Sequence, residues 1–368
     1  MTLRAYVVGG AVRDALLGQT GCDRDWVVVG ATPQQLIDAG YRPVGRDFPV
    51  FLHPDTGEEH ALARTERKSA PGYRGFSFHA APEVTLEQDL ARRDLTINAM
   101  ARDDDGALID PFGGAQDLRD GVLRHVSEAF AEDPVRLLRV ARFAARWPHF
   151  RVAPETMALL KRIVAAGEVD ALVPERIWQE LSRGLMEAQP SHMFELLRDC
   201  GALPRLLPGV IADTPLMKLI DTCAAAGAPL PVRYACLGLA SDAAQRLRVP
   251  VDCRALSELL ARERDAVHAS AALDPPALLT LLERCDALRR PARFAQLLLA
   301  CESDARARAA PSPVDYPPRR RLAQALAAAQ SVDTAAAAQA AQAAGLRGPA
   351  IGQAVHEARV AALRAGKD

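Results

Sequence analysis

The sequence predicts an α+β fold, in which a head with a mixed sheet is followed by an all-helical remainder. Short apolar runs that end at glycines, typical of strands, are concentrated in residues 1–125. From about Ala131 onward the apolar periodicity is helical, and alanine and leucine dominate. The chain has 368 residues, of which 49% are hydrophobic, so it can bury a sizeable core and is expected to divide into two or more domains.

The elements of the head follow in order. Four apolar runs are predicted strands, at residues 5–8, 26–29, 49–53 and 60–63. Two intervening stretches are predicted helices, at residues 11–17 and 32–39. In the helical remainder, residues 322–344 are alanine-rich, and since alanine is the best helix former this segment is predicted to be a helix or a helix pair.

Composition excludes several classes of protein. The net charge is −1, so contacts to a nucleic acid would depend on local positive charge. The seven cysteines form no CxxC pair, which argues against both a disulfide framework and a zinc site. No stretch approaches the roughly 20 apolar residues of a membrane helix, and the N-terminus does not have the pattern of a signal peptide. A cytoplasmic protein is therefore expected.

Two glycines separate the first predicted strand from the first helix, in the run VVGGAVRD. In this arrangement the backbone N–H groups around Gly10 and the helix N-terminus point toward the same place, which favours binding of an anion there. Arg13, in the first turn, adds a charge-assisted contact suited to a triphosphate. The alternative is purely structural, because glycine tolerates such turns.

Two carboxylates follow about a dozen residues later. Asp23 and Asp25 stand at i and i+2 at the start of a predicted strand, so both side chains point to one face. Oxygen ligands in this arrangement suit a pair of divalent cations, which can stabilise the attacking and leaving oxygens in phosphoryl transfer. An isolated pair of this kind is more often solvated, but the preceding glycine turn favours the metal site.

Other polar residues extend the candidate site. Glu59 begins the next predicted strand and is a candidate third carboxylate, with an exposed edge glutamate as the alternative. In the run RRDLTIN, Asp94 is positioned to cap a helix. Arg93, Asp94 and Asn98 offer groups suited to phosphates and a ribose hydroxyl, whereas the alternative is a capped helix with a solvated basic start.

The segment EDPVRLLRVAR predicts a helix that begins at Pro134 with Asp133 as its cap. Its apolar face is Leu137, Val140, Ala141 and Ala144, and its opposite flank is Arg136, Arg139, Arg142 and Arg146. That flank has no acidic partner within the helix, which indicates a binding surface rather than a merely solvated face.

Asp133 and Arg136 together can read a nucleobase. The carboxylate accepts from an exocyclic amino group, and the guanidinium donates to the neighbouring ring nitrogen or carbonyl. Cytosine and adenine present such an amino group, whereas uracil and guanine turn a carbonyl oxygen toward the carboxylate. One such pair would accept C and A and reject U and G.

Taken in order, these segments resemble the successive motifs of bacterial class II CCA-adding enzymes (tRNA nucleotidyltransferases), closest to the proteobacterial branch. The segments are GGAVRD, DRDWVVVG, ALARTERKS, RRDLTIN and EDPVRLLRVAR. The resemblance covers about residues 4 to 210. It implies a polymerase-β-like nucleotidyltransferase head at residues 1–128 and a helical neck with a nucleotide-selecting helix at 129–205. A helical body and tail for tRNA binding would follow at 206–368.

The resemblance also implies a reaction. The tRNA 3′-hydroxyl would attack the α-phosphate of CTP twice and then of ATP, releasing pyrophosphate without a nucleic acid template. Mg²⁺ is the implied cofactor, held by Asp23 and Asp25, and no protein or membrane partner is expected. The residues implied to contact CTP or ATP are Gly10, Arg13, Arg93, Arg139 and Arg142, with Asp133 and Arg136 as the protein template.

The chain departs from that family at about residues 210–300. Long members carry an HD-type phosphohydrolase domain, in which a run like RYACL is followed by the metal ligands His and Asp. Here Arg233 to Leu237 are followed by Gly238-Leu239, and the region is shortened. We predict no phosphohydrolase activity and no second metal site, and hydrolysis of a 2′,3′-cyclic nucleotide by pure protein would contradict this prediction.

Three other functions compete with CCA addition. Bacterial poly(A) polymerases resemble the family, but they usually end in long basic tails that this chain lacks. A non-catalytic tRNA-binding module would be favoured by loss of one paired carboxylate, and both are present. Small-molecule nucleotidyltransferases share motifs, although the long helical body argues for a larger substrate. We also hypothesise that C-to-A switching involves motion at Gly113-Gly114.

Overall fold

The computed structural model describes residues 4–19, 21, 23–44, 50–68, 76–309 and 315–365. Within them the chain forms eleven strands and eighteen α-helices. The strands are β1 (Arg4–Val8), β2 (Asp25–Val29), β3 (Arg42–Val44), β4 (Val50–Leu52), β5 (Glu59–Leu62), β6 (Thr65–Lys68), β7 (Phe76–His79), β8 (Ala101–Arg102), β9 (Leu108–Ile109), β10 (Val122–Leu123) and β11 (Arg151–Val152).

Seven strands form one mixed sheet in the order β3-β4-β5-β2-β1-β8-β9. The pairing of β2 with β5 is parallel, and the other pairings in this sheet are antiparallel. Successive residues of β2 face opposite sides, as the pleat requires. Val27 packs in a cluster with Val8 and Leu90, and Val28 packs in another with Leu36 and Phe51. The sheet is thus buried on both faces along its central strands.

The helices of the head and the segment after it are α1 (Gly10–Leu16), α2 (Pro33–Asp38), α3 (Leu86–Ala91), α4 (Gly114–Asp120), α5 (Val135–Arg146), α6 (Pro154–Ala165), α7 (Pro174–Leu185), α8 (Ser191–Asp199) and α9 (Leu203–Leu206). The later helices are α10 (Thr214–Ala225), α11 (Leu230–Leu237), α12 (Ser241–Arg246), α13 (Val251–His268), α14 (Pro275–Arg284), α15 (Pro291–Ala309), α16 (Pro317–Gln330), α17 (Thr334–Ala343) and α18 (Pro349–Ala365).

The predicted fold class is confirmed, with a mixed-sheet head and a mostly helical remainder. The four predicted strands correspond to β1, β2, β4 and β5, although residue 49 lies outside the described residues. The alanine-rich segment is a helix pair, α16 and α17. The prediction that strands end before Ala131 was wrong at β11, which pairs with β10 over two residues. Ladders this short leave no periodic signal in a sequence.

The chain divides into two compact units. The first comprises residues 1–184 and 192–206, and the second comprises residues 185–191 and 207–368. The core of the second unit is helical and includes Val232, Leu256, Leu279, Leu297 and Leu322. No helix within the described ranges is long and apolar enough to cross a membrane.

The segment that departs from the HD pattern lies in the second unit. Arg233 and Tyr234 are buried in α11, and Gly238 ends that helix in the left-handed region at φ 69°. His268 lies 3.1 Å from Asp304 and 2.9 Å from the Tyr316 hydroxyl. The absence of phosphohydrolase activity stays a prediction.

Candidate active site

A cavity of about 670 Å³ lies in the first unit, at the end of the central strands. Its lining includes residues of the strands β1, β2 and β5 and of the helices α1, α5 and α7. All but one of the predicted site residues line it, namely Gly10, Arg13, Asp25, Glu59, Arg93, Asp94, Asn98, Asp133, Arg136, Arg139 and Arg142. These residues, which are scattered in the sequence, therefore lie together on one cavity, and their roles stay predictions.

The glycine turn between β1 and α1 brings backbone to the cavity wall. Gly9 has a φ of 71° and is followed directly by α1, which begins at Gly10. Arg13 is buried, and it donates to Asp14 Oδ1 at 2.8 Å and to Asn98 Oδ1 at 2.5 Å. Burial lowers the pKa of Arg13, and Asp14 opposes this effect. The turn thus places a well-anchored guanidinium in the cavity that Asp25 also lines.

Asp23 and Asp25 lie at the entrance to β2, and the strand itself begins at Asp25. Asp25 is exposed on the cavity wall, yet burial of its carboxylate by surrounding atoms raises its pKa. Arg93 opposes that rise, and the negative charge of Asp23 adds to it. Within the described residues neither carboxylate has a hydrogen-bond or ion-pair partner. Two neighbouring carboxylates whose oxygens make no such contacts favour a divalent cation with oxygen ligands.

Glu59 lies on the neighbouring strand, β5, at the position next to Asp25. The parallel pairing joins Trp26 to His60, so Glu59 precedes the paired residues as Asp25 does. Both carboxylates line the cavity. The described residues nevertheless contain no cluster of three His, Cys, Asp or Glu side chains arranged to hold a metal. A role for Glu59 as third carboxylate stays a prediction.

Asp94 does not start an α-helix, which corrects its predicted role as a helix cap. It precedes a single 3-10 turn, Thr96–Asn98. Its Oδ1 accepts from the Leu95 amide at 2.8 Å and from Asn98 Nδ2 at 3.0 Å, and its Oδ2 accepts from Arg139 Nε at 2.7 Å. The carboxylate is 6% exposed, so it organises neighbouring side chains rather than a helix terminus.

Two arginines of α5 are held by acids from other parts of the chain. Arg139 pairs with Asp94, and Arg142 donates to Glu180 Oε2 on α7 at 2.7 Å. Arg136 and Arg142 are both 9% exposed, so this flank of the helix is not a solvated surface. Such acid partners fix the guanidinium positions and leave further N–H groups for phosphates.

Asp133 and Arg136 do not pair with each other. Arg136 donates to the backbone carbonyls of Ala129 at 3.0 Å and Arg92 at 2.6 Å. Asp133 instead accepts both terminal nitrogens of Arg176, at 2.9 and 2.7 Å. Both side chains line the cavity, but neighbouring positions in the sequence did not imply contact between their charged groups.

Comparison with known proteins gives the family. Residues 5–124 match the poly A polymerase head domain, and residues 149–213 match the probable RNA and SrmB-binding site of polymerase A. The Multifunctional CCA protein of Leptothrix cholodnii is 57% identical over 402 aligned positions, which cover 98% of this chain and 96% of that protein. The chain belongs to the CCA protein family. The alignment has more positions than this chain has residues, so this chain has internal deletions when it is compared with the Leptothrix cholodnii protein.

Solved structures share the fold of this family member. A CCA-adding enzyme in apo form II has a TM-score of 0.75 at 22% identity, covering 97% of this chain and 88% of that one. A tRNA-processing enzyme solved with CTP has a TM-score of 0.62 at 25% identity, covering 88% of this chain and 94% of that one. The resemblance found in the motifs therefore extends to the architecture.

Several residues at the site of this CCA protein family member were missed by sequence reasoning. Asp89 is fully buried and accepts from Arg92 Nη2 at 2.7 Å and Arg93 Nη2 at 3.1 Å. Glu180 and Arg176, both on α7, hold Arg142 and Asp133. The run PERIWQEL places these two residues four apart on one helix face. That spacing was the available signal, but Arg142 and Asp133, the partners of these residues, are distant in sequence.

Proposed function

We propose that this chain adds and repairs the 3′-terminal CCA sequence of tRNA, using CTP and ATP and releasing pyrophosphate. No nucleic acid template takes part. The observation that carries the proposal is an arginine-rich cavity lined by Asp25, with Asp23 two residues before it at the start of β2. Membership of the CCA protein family supports this reaction over other nucleotide transfers. We propose the cytoplasm as its location, where tRNA and nucleoside triphosphates are found.

Nucleotidyltransferases of this superfamily use divalent metal, and we propose Mg²⁺ held by Asp23 and Asp25. These carboxylates fit Mg²⁺ because they are hard oxygen ligands that no hydrogen bond or ion pair among the described residues occupies. Bound there, the metal would polarise the phosphate and stabilise charge on the reacting oxygens. Mg²⁺ is typically held by one or two carboxylates together with substrate phosphates, so two protein ligands suffice.

The remaining side chains of the site position the triphosphate and neutralise its charge. Arg13, Arg93, Arg139 and Arg142 face the same cavity, and each is anchored by a carboxylate partner. Asn98 accepts a hydrogen bond from Arg13 and donates one to Asp94, so these three side chains hold one another in position. In-line phosphoryl transfer depends mainly on positioning and electrostatic stabilisation, and anchored guanidinium groups supply both without reorganisation.

Selection between bases falls to Asp133 and Arg136. Asp133 accepts from the amino group of cytosine or adenine, and Arg136 donates to the adjacent ring nitrogen. To contact a base, Arg136 gives up its hydrogen bond to one of the two backbone carbonyls that hold it and donates to the base instead. Uracil and guanine are rejected because a carbonyl oxygen would face a carboxylate and leave buried polar groups unpaired.

The test is addition to a tRNA transcript that lacks its last three nucleotides. Purified protein with Mg²⁺ receives CTP, ATP or both, and the 3′ ends are sequenced. Addition of CC with CTP alone, and a stop at CCA with both nucleotides, is expected. Asp23→Ala should abolish addition, whereas Asp104→Ala, at an exposed loop position of the head, should not.

Two other results would identify the competing functions. The head matches a family described as a poly A polymerase head domain, so a long A tail would identify a poly(A) polymerase. Binding of tRNA without any addition would identify a non-catalytic binding module. Either result would overturn CCA addition.

A further inference from the structure

We infer that Arg176 is a positioning residue for base selection, because its bidentate ion pair fixes the orientation of the Asp133 carboxylate. This inference rests on the proposed function. It adds Arg176 of α7 to the residues of the site. Neither Asp133 nor Arg136, the two residues proposed to select the base, lies on that helix.

The geometry of the pair is that of two parallel hydrogen bonds. Arg176 Nη1 donates to Asp133 Oδ1 at 2.9 Å, and Arg176 Nη2 donates to Asp133 Oδ2 at 2.7 Å. The two side chains are 26% and 19% exposed, and both line the cavity. A planar guanidinium bonded in this way holds a carboxylate in its own plane, which a single point charge does not do.

Counting acceptors shows which carboxylate oxygen remains available. Each oxygen of Asp133 can accept two hydrogen bonds. Oδ1 accepts from Arg176 and from the Val135 amide at 3.3 Å. Oδ2 accepts only from Arg176 among the contacts within residues 4–309 that the structure describes. Oδ2 therefore keeps one acceptor position, which is what an exocyclic amino group requires.

No other side chain of the proposed reading pair sets this orientation. Arg136 is directed to the carbonyls of Ala129 and Arg92 rather than to Asp133. Without Arg176, only the 3.3 Å hydrogen bond from the Val135 amide would hold the carboxylate, so it would rotate more freely and accept donors from more directions. A rotated carboxylate no longer opposes the carbonyl oxygen of uracil or guanine at a fixed distance, so rejection of those bases weakens.

An ion pair between α5 and α7 remains when the contact of Arg176 with Asp133, two residues before α5, is lost. Arg142 of α5 pairs with Glu180 of α7 at 2.7 Å, in reverse polarity to the pair of Asp133 with Arg176. Arg176→Gln keeps much of the side-chain length while removing the fork and the charge. Arg176→Lys retains the charge alone.

The experiment measures kcat/KM for single additions of CTP, UTP, ATP and GTP to the matching tRNA acceptors. For Arg176→Gln, the preference for CTP over UTP and for ATP over GTP should fall about tenfold, which corresponds to one lost hydrogen-bond orientation. Arg176→Lys should recover part of that preference. The melting temperature of each variant is measured alongside.

Two controls separate selection from general binding. Glu180→Gln breaks the α5–α7 pair, and it should raise KM for all four nucleotides alike, because Arg142 is directed at the common triphosphate. Arg162→Gln removes an exposed pair with Glu128, both outside the cavity, and it should leave addition and preference unchanged.

The possible outcomes distinguish this inference from the proposed function. Wild-type protein that does not prefer CTP and ATP would overturn the proposed function and this inference with it. If wild-type preference is normal and Arg176→Gln lowers all four kcat/KM values equally, the inference alone is wrong. A Lys variant that recovers the whole wild-type preference would contradict the bidentate fork, since charge alone would then suffice.

Discussion

Asp94 Oδ2 and Arg139 Nε lie 2.7 Å apart in the cavity wall, and Asp94 is only 6% exposed. Burial alone would raise the pKa of Asp94, but Arg139, Asn98 and the Leu95 amide together hold that pKa well below its ordinary value. The same pair raises the pKa of Arg139. Ionisation of Asp94 is thereby tied to the position of an arginine proposed to contact the nucleotide.

Asp94→Asn should destabilise the first unit by about 3 kcal/mol, because it leaves Arg139 without its buried partner. The effect should depend on pH. The pKa of Asp94 is lower in the folded than in the unfolded state, so its stabilisation is present above about pH 4 and is lost as pH falls toward the folded-state pKa. Urea unfolding of wild type and variant at several pH values checks this. The difference in unfolding free energy should be constant above about pH 5 and shrink below about pH 4.

A difference in unfolding free energy that stays the same down to about pH 3 would contradict the buried pair. Asp104→Asn is the matched control, since Asp104 is exposed in the same unit. That variant should differ little from wild type at every pH.

The sequence predicted the location of Asp94 but not its partner. The run RRDLTIN suggested a local cap, whereas the contact that dominates is to a residue 45 positions away. In the same way, Asp133 and Arg136 were expected to act together because they are three positions apart. Arg176, 43 positions from Asp133, takes its carboxylate instead. Local patterns indicate which groups face a cavity, and only tertiary packing decides how those groups pair.

The strands and the glycine turn were predictable for a physical reason. Apolar runs that end at glycine leave the chain few alternatives to a buried strand followed by a turn, and β1, β2 and β5 formed within a residue of their predicted bounds. The short strands β8 to β11 have only two residues each. Their pairing follows from the packing of neighbouring elements, so no periodic signal precedes it.

The neighbouring glycines Gly9 and Gly10 should respond differently to substitution by alanine. Gly9 has a φ of 71°, and a Cβ there would lie 2.8 Å from Arg93 Nη1. Gly9→Ala should cost about 1–2 kcal/mol of stability and should also raise KM for nucleotide by displacing Arg93. Thermal unfolding and steady-state kinetics on one preparation measure both effects.

Gly10→Ala is the matched comparison. Gly10 is the first residue of α1, and a Cβ there meets only Arg13 Nη2 at an ordinary 3.5 Å. Its stability should stay equal or rise by about 0.5–1 kcal/mol. If that stable variant loses activity, the added methyl group blocks the nucleotide, which indicates that the nucleotide lies close to Gly10. Equal destabilisation by both substitutions would contradict this reasoning.

Gly113 and Gly114 also differ, which changes how a hinge at this pair must be tested. A Cβ on Gly114 would overlap the Thr96 carbonyl, and Thr96 belongs to the 3-10 turn that carries Asn98. Gly114→Ala should therefore cost about 3 kcal/mol through overpacking. Gly113 has a φ of 73° and open space around it, so Gly113→Ala should cost only about 1 kcal/mol.

Only the single substitution at Gly113 can test motion during C-to-A switching, since a double variant would fail through packing. If the hinge hypothesis is correct, Gly113→Ala adds CC at the wild-type rate and slows the final A. If Gly113→Ala completes CCA normally, the hypothesis is wrong. Gly106→Ala, at another positive-φ loop glycine with open space, controls for backbone strain alone.

The proposed metal site depends on the carboxylate of Asp25. Asp25→Asn should weaken binding of Mn²⁺, used in place of Mg²⁺, at least about tenfold, because loss of a ligand costs no less than loss of a supporting contact. The fold should be unaffected, since within the described residues Asp25 makes no ion pair that the substitution would break. Calorimetric titration measures the affinity, and Glu59→Gln provides the comparison.

If Glu59 is a third ligand, its variant also loses affinity. If Glu59 is an exposed strand-edge residue, Mn²⁺ affinity stays at the wild-type value, and the site has two protein ligands completed by the nucleotide phosphates. Unchanged affinity in Asp25→Asn itself would contradict the paired-carboxylate site.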